Sequence, residues 1–143
     1  MKRFIAIFVS IIIAVVAGLY GYFTYQQNNQ NIAKSNLEFE YCYNKEIYGA
    51  ELTTIINKAI QNNEEFNIIK NNKGFYEENG ETSIKIEIKI TDNNTTYNME
   101  TFYMNGIDKF VEHYNIIKFK CTEIKYHPKT KRVSYLHFEQ VSK

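Results

Sequence analysis

From Phe4 to Phe23 the chain carries no charged side chain: "FIAIFVSIIIAVVAGLYGYF" is a run of Ile, Val, Ala and Phe interrupted by Ser10 and two glycines. As a helix rising 1.5 Å per residue, about 20 such residues reach the roughly 30 Å of a bilayer's hydrocarbon core. The apolar part of a secretory signal is shorter, about 7 to 15 residues. Tyr20, Tyr22, Phe23 and Tyr25 close the run with rings suited to the headgroup layer. Residues 1–25 therefore read as an uncleaved signal-anchor, with residues 4–25 in the lipid bilayer. The competing reading is a cleaved signal, with a core from Phe4 to Ala14 and a small-residue site at Val15-x-Ala17. Lys2 and Arg3 precede the run and the next basic residue is Lys34, so the positive-inside bias predicts a cytoplasmic N-terminus and a single-pass chain whose remainder lies outside.

Polarity then switches. "TYQQNNQNIAKSN" has no apolar period and no proline, and residues 26–36 read as a polar stalk or as a helical extension of the anchor. Residues 37–143 carry the patterns of a folded domain. Leu52, Ile55, Ile56, Ala59 and Ile60 form one helical stripe, with Gly49 as N-cap and Asn62-Asn63 as the stop. Ile84, Ile86, Ile88 and Ile90 alternate with Lys85, Glu87 and Lys89, the pattern of a strand with one wet face. With Asn79-Gly80 before it and Asp92-Asn93-Asn94 after it, a three-stranded meander is predicted over 74–78, 82–91 and 95–103, with a further short strand at "EFNIIK". Ile107, Phe110, Val111 and Tyr114 mark a short second helix, and residues 115–141 a hairpin whose loop holds Pro128 and Lys129. The predicted fold class is α+β: an N-terminal transmembrane helix, then a small domain of two helices and an antiparallel sheet of about five strands.

Composition narrows the setting. Tyr and Phe number 12 and 10, there is no Trp and one Pro, and the richness in Asn, Ile, Lys and Tyr matches coding by an AT-rich, bacterial genome. Setting aside Lys2 and Arg3 leaves 15 basic against 16 acidic side chains, which supplies no electrostatic case for nucleic acid. Two cysteines occur, Cys42 and Cys121, both in the part placed outside. In an oxidising compartment they have a single way to pair, and the alternative is two buried thiols packed as small apolar groups.

Chemistry is sparse. His113, His127 and His137 lack HxxxH or HExxH spacing, and no GxSxG, P-loop, GxGxxG or CxxC is present. No catalytic, cofactor or metal residue is assigned. His127 and His137 with Glu139 would be the material for a small hydrolase or ligand-binding protein, the alternative function. The compact basic run "HPKTKR" and the aromatic strand after it mark a candidate interaction surface of His127, Lys129, Lys131, Arg132, Tyr135 and His137, facing another envelope protein or an anionic polymer.

The order of membrane helix, polar neck and sheet-rich domain resembles the layout of type IV pilins and pseudopilins over residues 1–36, which implies a subunit of envelope machinery as a further alternative. The family's glycine cleavage site followed by Phe, with a Glu four residues on, has no counterpart: Arg3 precedes Phe4, and position 8 is Phe. The leading expectation is a membrane-anchored extracytoplasmic protein with a non-enzymatic binding or assembly role in the cell envelope.

Overall fold

The computed structural model of the chain describes residues 2–141, and the side chains from Phe4 onward. The charges of Lys2 and Arg3, on which the predicted orientation rests, lie outside the described side chains. The chain divides into two compact units, Met1–Lys34 and Ser35–Lys143.

The first unit is a single stretch of helix. α1 (Lys2–Glu40) starts in the apolar run and passes through the polar neck without a break, so of the two readings of residues 26–36 it is the helical extension that forms. Nothing there opposes it: the neck has no Pro or Gly, and Gln, Asn, Ala and Lys cost a helix only tenths of a kcal/mol each, about 0 to 0.7. The apolar stretch is long enough to cross a membrane or serve as a signal-anchor. Its aliphatic hydroxyls are satisfied within the helix: Ser10 Oγ donates to Ile7 O at 2.8 Å and Thr24 Oγ1 to Tyr20 O at 2.9 Å.

The second unit begins with the last turn of α1 and continues through β1 (Glu46–Tyr48), α2 (Gly49–Glu65), β2 (Lys85–Ile90), β3 (Thr95–Asn98), α3 (Met99–Met104), α4 (Ile107–Tyr114), β4 (Lys118–Tyr126) and β5 (Val133–Gln140). The class is α+β, with five strands in the order β1-β4-β5-β2-β3. The predicted antiparallel sheet is corrected to a mixed one, because β2 and β5 pair in parallel, Lys85 opposite Tyr135 through Lys89 opposite Glu139. Both hairpins, β2–β3 and β4–β5, are antiparallel. The α3–α4 segment returns the chain so that β4 pairs with β1 at one edge. β5 then fills the place beside β2, running the same way.

The stripe predicted for α2 is its buried side: Leu52, Ile55, Ile56 and Ala59 are fully enclosed and pack on the isoleucines of β2 and on Phe119 and Phe138. Gly49 is the first residue of this helix and Tyr48 its N-cap. A Cβ at Gly49 would stand 2.0 Å from Tyr114 O, so glycine is what lets the start of α2 meet the end of α4. Asn62 and Asn63 lie inside α2 and do not stop it. Asn63 is fully buried, its Oδ1 accepting from Ile84 N and its Nδ2 donating to Ile84 O, both at 2.8 Å.

Two predicted strands are absent from the sheet. Residues 74–78 make only the isolated bridge between Lys70 and Tyr76. Asn79 does not build a hairpin turn, because its Oδ1 accepts from the backbone N–H groups of Glu81, Thr82 and Ser83 at 2.8 to 3.0 Å and folds the loop onto itself. "EFNIIK" straddles the end of α2, where Asn67 takes a φ of +51°. The third strand stops at Asn98; Met99 turns fully into the core and α3 follows, with Phe102 and Phe110 in edge contact at 4.7 Å. In the place of residues 74–78, the fifth strand is β1.

Candidate functional site

The helices pack on one face of the sheet, and the other face is polar. Register decides which of its side chains meet. On that open face Lys125 of β4, Tyr135 of β5 and Lys85 of β2 lie opposite one another in one row. The next row is Glu123, His137 and Glu87, and the third Lys120, Glu139 and Lys89. A bulge at Thr122 moves Glu123, not Thr122, opposite His137. The outer surface is thus a grid in which a histidine sits between carboxylates and a tyrosine between ammonium groups.

The centre of the grid is bonded together. Tyr135 OH donates to Glu87 Oε2 at 2.8 Å and lies 3.3 Å from His137 Nδ1, and Lys85 Nζ pairs with Glu87 Oε1 at 2.7 Å. His137 Nε2 is 3.5 Å from Glu139 Oε1, its Nδ1 is 4.0 Å from Glu87 Oε2, and Lys125 Nζ stands 4.5 Å from the centre of the Tyr135 ring. Burial would raise the Glu87 carboxyl, but hydrogen bonds from Lys85 and Tyr135 and the Lys85 charge outweigh it and hold the group below the ordinary glutamate range. Burial, and then the Glu87 carboxylate, push the Tyr135 phenol well above the ordinary tyrosine range, so it stays a donor. At one end of the grid a cavity of about 230 Å³ opens between Tyr76, Glu77, Ser83, Lys85, Lys125 and Tyr135.

The six residues of the predicted interaction surface separate. Tyr135 and His137 lie at the centre of the open face. His127 is fully buried, with Nε2 2.7 Å from Ser83 O and its backbone N–H donating to Arg132 O at 2.8 Å; it pins the β4–β5 loop to the segment that leads into β2. Arg132 is half-buried, its guanidinium 3.3 Å from both Ser35 Oγ and Asn62 Oδ1 and stacked over Phe66, and burial lowers its pKa. Lys129 is neutralised by Glu81. Lys131 is exposed and takes a φ of +61°, and its carbonyl accepts from Asn36 Nδ2 at 2.8 Å. Of the basic run, His127 and Arg132 are therefore internal structure, and Lys129 and Lys131 stay at the surface. Glu123, Lys125 and Glu139 complete the surface; their alternation with Cys121, Ile124 and Phe138 was the signal available for them.

Cys42 and Cys121 are both fully buried free thiols. Among the described residues no three His, Cys, Asp or Glu side chains converge on a point that would hold a metal. His137 and its carboxylates lie on the flat part of the sheet and do not line the cavity. This arrangement suits hydrogen bonding and charge pairing across a surface. No protein-family model, no curated protein and no solved structure matches the chain.

Proposed function

We propose that this is a single-pass membrane protein of the cell envelope with a non-enzymatic binding or assembly role, anchored through residues 4–25 with its N-terminus cytoplasmic, whose domain outside docks another envelope protein on the open face of its sheet. The observation that carries the reading is the combination of a charge-free apolar run on a helix long enough to cross a membrane and a bonded polar grid centred on Tyr135 and His137. Rows of both signs favour a protein over an anionic polymer, since a polyanion would meet Glu87, Glu123 and Glu139 as often as it met lysines. Tyrosine at the centre of such a patch is a common interface anchor.

The test is chemical cross-linking in native membranes followed by purification of the full chain. Tyr135→Ala with His137→Ala should reduce the cross-linked partner about tenfold or more, the loss expected of a contact worth about 1.4 kcal/mol. Undiminished cross-linking in that variant, with the fold intact, would remove the open face from the proposal. Protease added outside intact cells should digest the domain; a domain protected from it would overturn the orientation.

A further inference from the structure

The two cysteines are 79 positions apart in the chain and adjacent in the core. Cys42 follows the end of α1, and Cys121 lies within β4. Tyr43 forms a parallel bridge with Cys121, Asn44 N donates to Cys121 O at 2.9 Å, and Cys121 N donates to Lys45 O at 3.3 Å. The thiols touch. The interaction between the two thiols, together with burial, pushes the Cys42 thiol up, and the same interaction lowers Cys121 against the effect of burial. We propose that Cys42 and Cys121 are joined by a disulfide in the mature protein and that this bond fastens the segment by which the chain enters the domain to strand β4. The inference rests on the domain being outside, in an oxidising compartment.

The position of the bond gives it a purpose. Any pull along α1 enters the domain through residues 35–45. There the chain is held by the buried Phe39 and by Asn36, whose side chain bonds Lys131 O and Val133 N at 2.8 and 2.9 Å. Beyond Lys45 it meets β1, a three-residue edge strand paired only with β4. Such an edge is the first part of a sheet to peel. A bond from Cys42 to Cys121 passes the pull directly to β4, upstream of β1.

Formation is a two-electron exchange with the disulfide of a thiol–disulfide oxidoreductase. One cysteine thiolate attacks a sulfur of that disulfide, breaking its S–S bond and forming a mixed disulfide. The second thiolate attacks the mixed disulfide and displaces the oxidoreductase sulfur. Two S–H bonds of this chain are lost and one S–S bond is gained, and the oxidoreductase leaves as a dithiol holding both electrons and, after protonation, two protons. Because both sulfurs are fully enclosed in the fold, the exchange occurs while the segment around Cys42 is still open.

The full chain is extracted from membranes with its thiols blocked, unfolded without reductant and digested with trypsin. The expected product is one species joining the peptide Ser35–Lys45 to the peptide Cys121–Lys125, which separates on reduction. Both peptides recovered blocked, from protein whose domain is digested by external protease, would overturn the bond. A domain protected from external protease would instead overturn the localisation. The pair is then decided on purified full chain in detergent, unfolded in urea and refolded in glutathione redox buffer so that both thiols are open to exchange: closure should raise the melting temperature by about 10 °C or more, and persistent free thiols or mixed glutathione adducts in the refolded chain would overturn the bond. Cys42→Ser with Cys121→Ser, compared with reduced wild-type chain, separates loss of the bond from loss of packing.

Discussion

Removing the Asn63 side chain is the sharpest available test of how the core is assembled. Asn63 is fully buried, and its amide makes both hydrogen bonds of the Ile84 backbone, each 2.8 Å long. Ile84 is itself 3% exposed. Asn63→Ala leaves a buried N–H and a buried C=O without partners, at about 1 to 3 kcal/mol each. Alanine returns roughly half a kcal/mol of helix propensity, so the net loss is about 1.5 to 5.5 kcal/mol, or on the order of 10 to 30 °C in melting temperature for a domain of this size. Asn63→Leu, nearly the same size, should not recover it, because the orphaned groups belong to the backbone. Asn63→Asp gives a distinctive sign. Ionised, it keeps the acceptor for Ile84 N–H but sets a second oxygen against Ile84 O. Protonated, it can supply the donor again. Its folded pKa is therefore raised above the unfolded value of about 3.9, and the stability it regains is fully present below that value and lost as pH rises through the folded pKa. Urea unfolding of the full chain in detergent, followed by far-UV circular dichroism, measures all three. An Asn63→Ala change within about 0.5 kcal/mol of wild type, the scatter of surface substitutions, would refute the reasoning, as would full recovery by leucine.

Two further outcomes follow from other parts of the fold. Gly49→Ala sets a methyl carbon 2.0 Å from Tyr114 O, so α2 and α4 must part, at a cost of about 1 to 3 kcal/mol in the same unfolding assay; Gly21→Ala, with open space around its Cβ, serves as the control. Because the Glu87 pKa is depressed in the folded state, its contribution is present above the unfolded value of about 4.3 and is lost as pH falls through the folded pKa. Tyr135→Phe removes one of the bonds that depress it, so the stability gap between wild type and Tyr135→Phe should narrow as a urea series is taken from neutral to strongly acidic pH, and a constant gap would mean that the phenol does not hold the carboxylate.

What could be read along the chain was whatever a local period encodes. The charge-free run from Phe4 to Phe23, the stripe of α2, the alternation from Ile84 to Ile90 and the terminal hairpin each need only their own neighbours to form. The misreadings arose where distant residues decide. Asn79-Gly80 fits a hairpin turn or a self-bonded loop equally well, and the latter forms because Ser83 and the Asn63 clamp on Ile84 hold its far end. Asn62-Asn63 has the composition of a helix stop, yet both amides are taken by the segment that enters β2. His127 and Arg132 looked like surface because their loop is short and basic, and are enclosed because Ser83, Asn62 and Ser35 reach them from 44, 70 and 97 positions away. The parallel pairing of β2 with β5 has no local mark at all, since it depends on where the α3–α4 crossover returns the chain.

The same dependence explains the candidate site. Tyr135 and His137 stand out in the sequence, but the partners that define their chemistry, Glu87 and Lys85, come from a strand some 50 positions earlier. What joins them is register, and the inner face of the sheet sets it: Ile86, Ile88, Leu136 and Phe138 are fully buried and lie opposite one another in the β2–β5 ladder. A slip of one residue between these strands would turn that apolar set toward water and carry Glu87 inward, exposing four side chains worth about 1.5 to 3 kcal/mol each. The polar grid gains far less from its own contacts, since exposed ion pairs contribute about 0 to 1 kcal/mol. The arrangement of charges outside is thus imposed by burial inside, and a substitution in the core that loosens register, such as Ile88→Ala, should disorganise the Glu87–Tyr135–His137 centre before any of its own residues is touched.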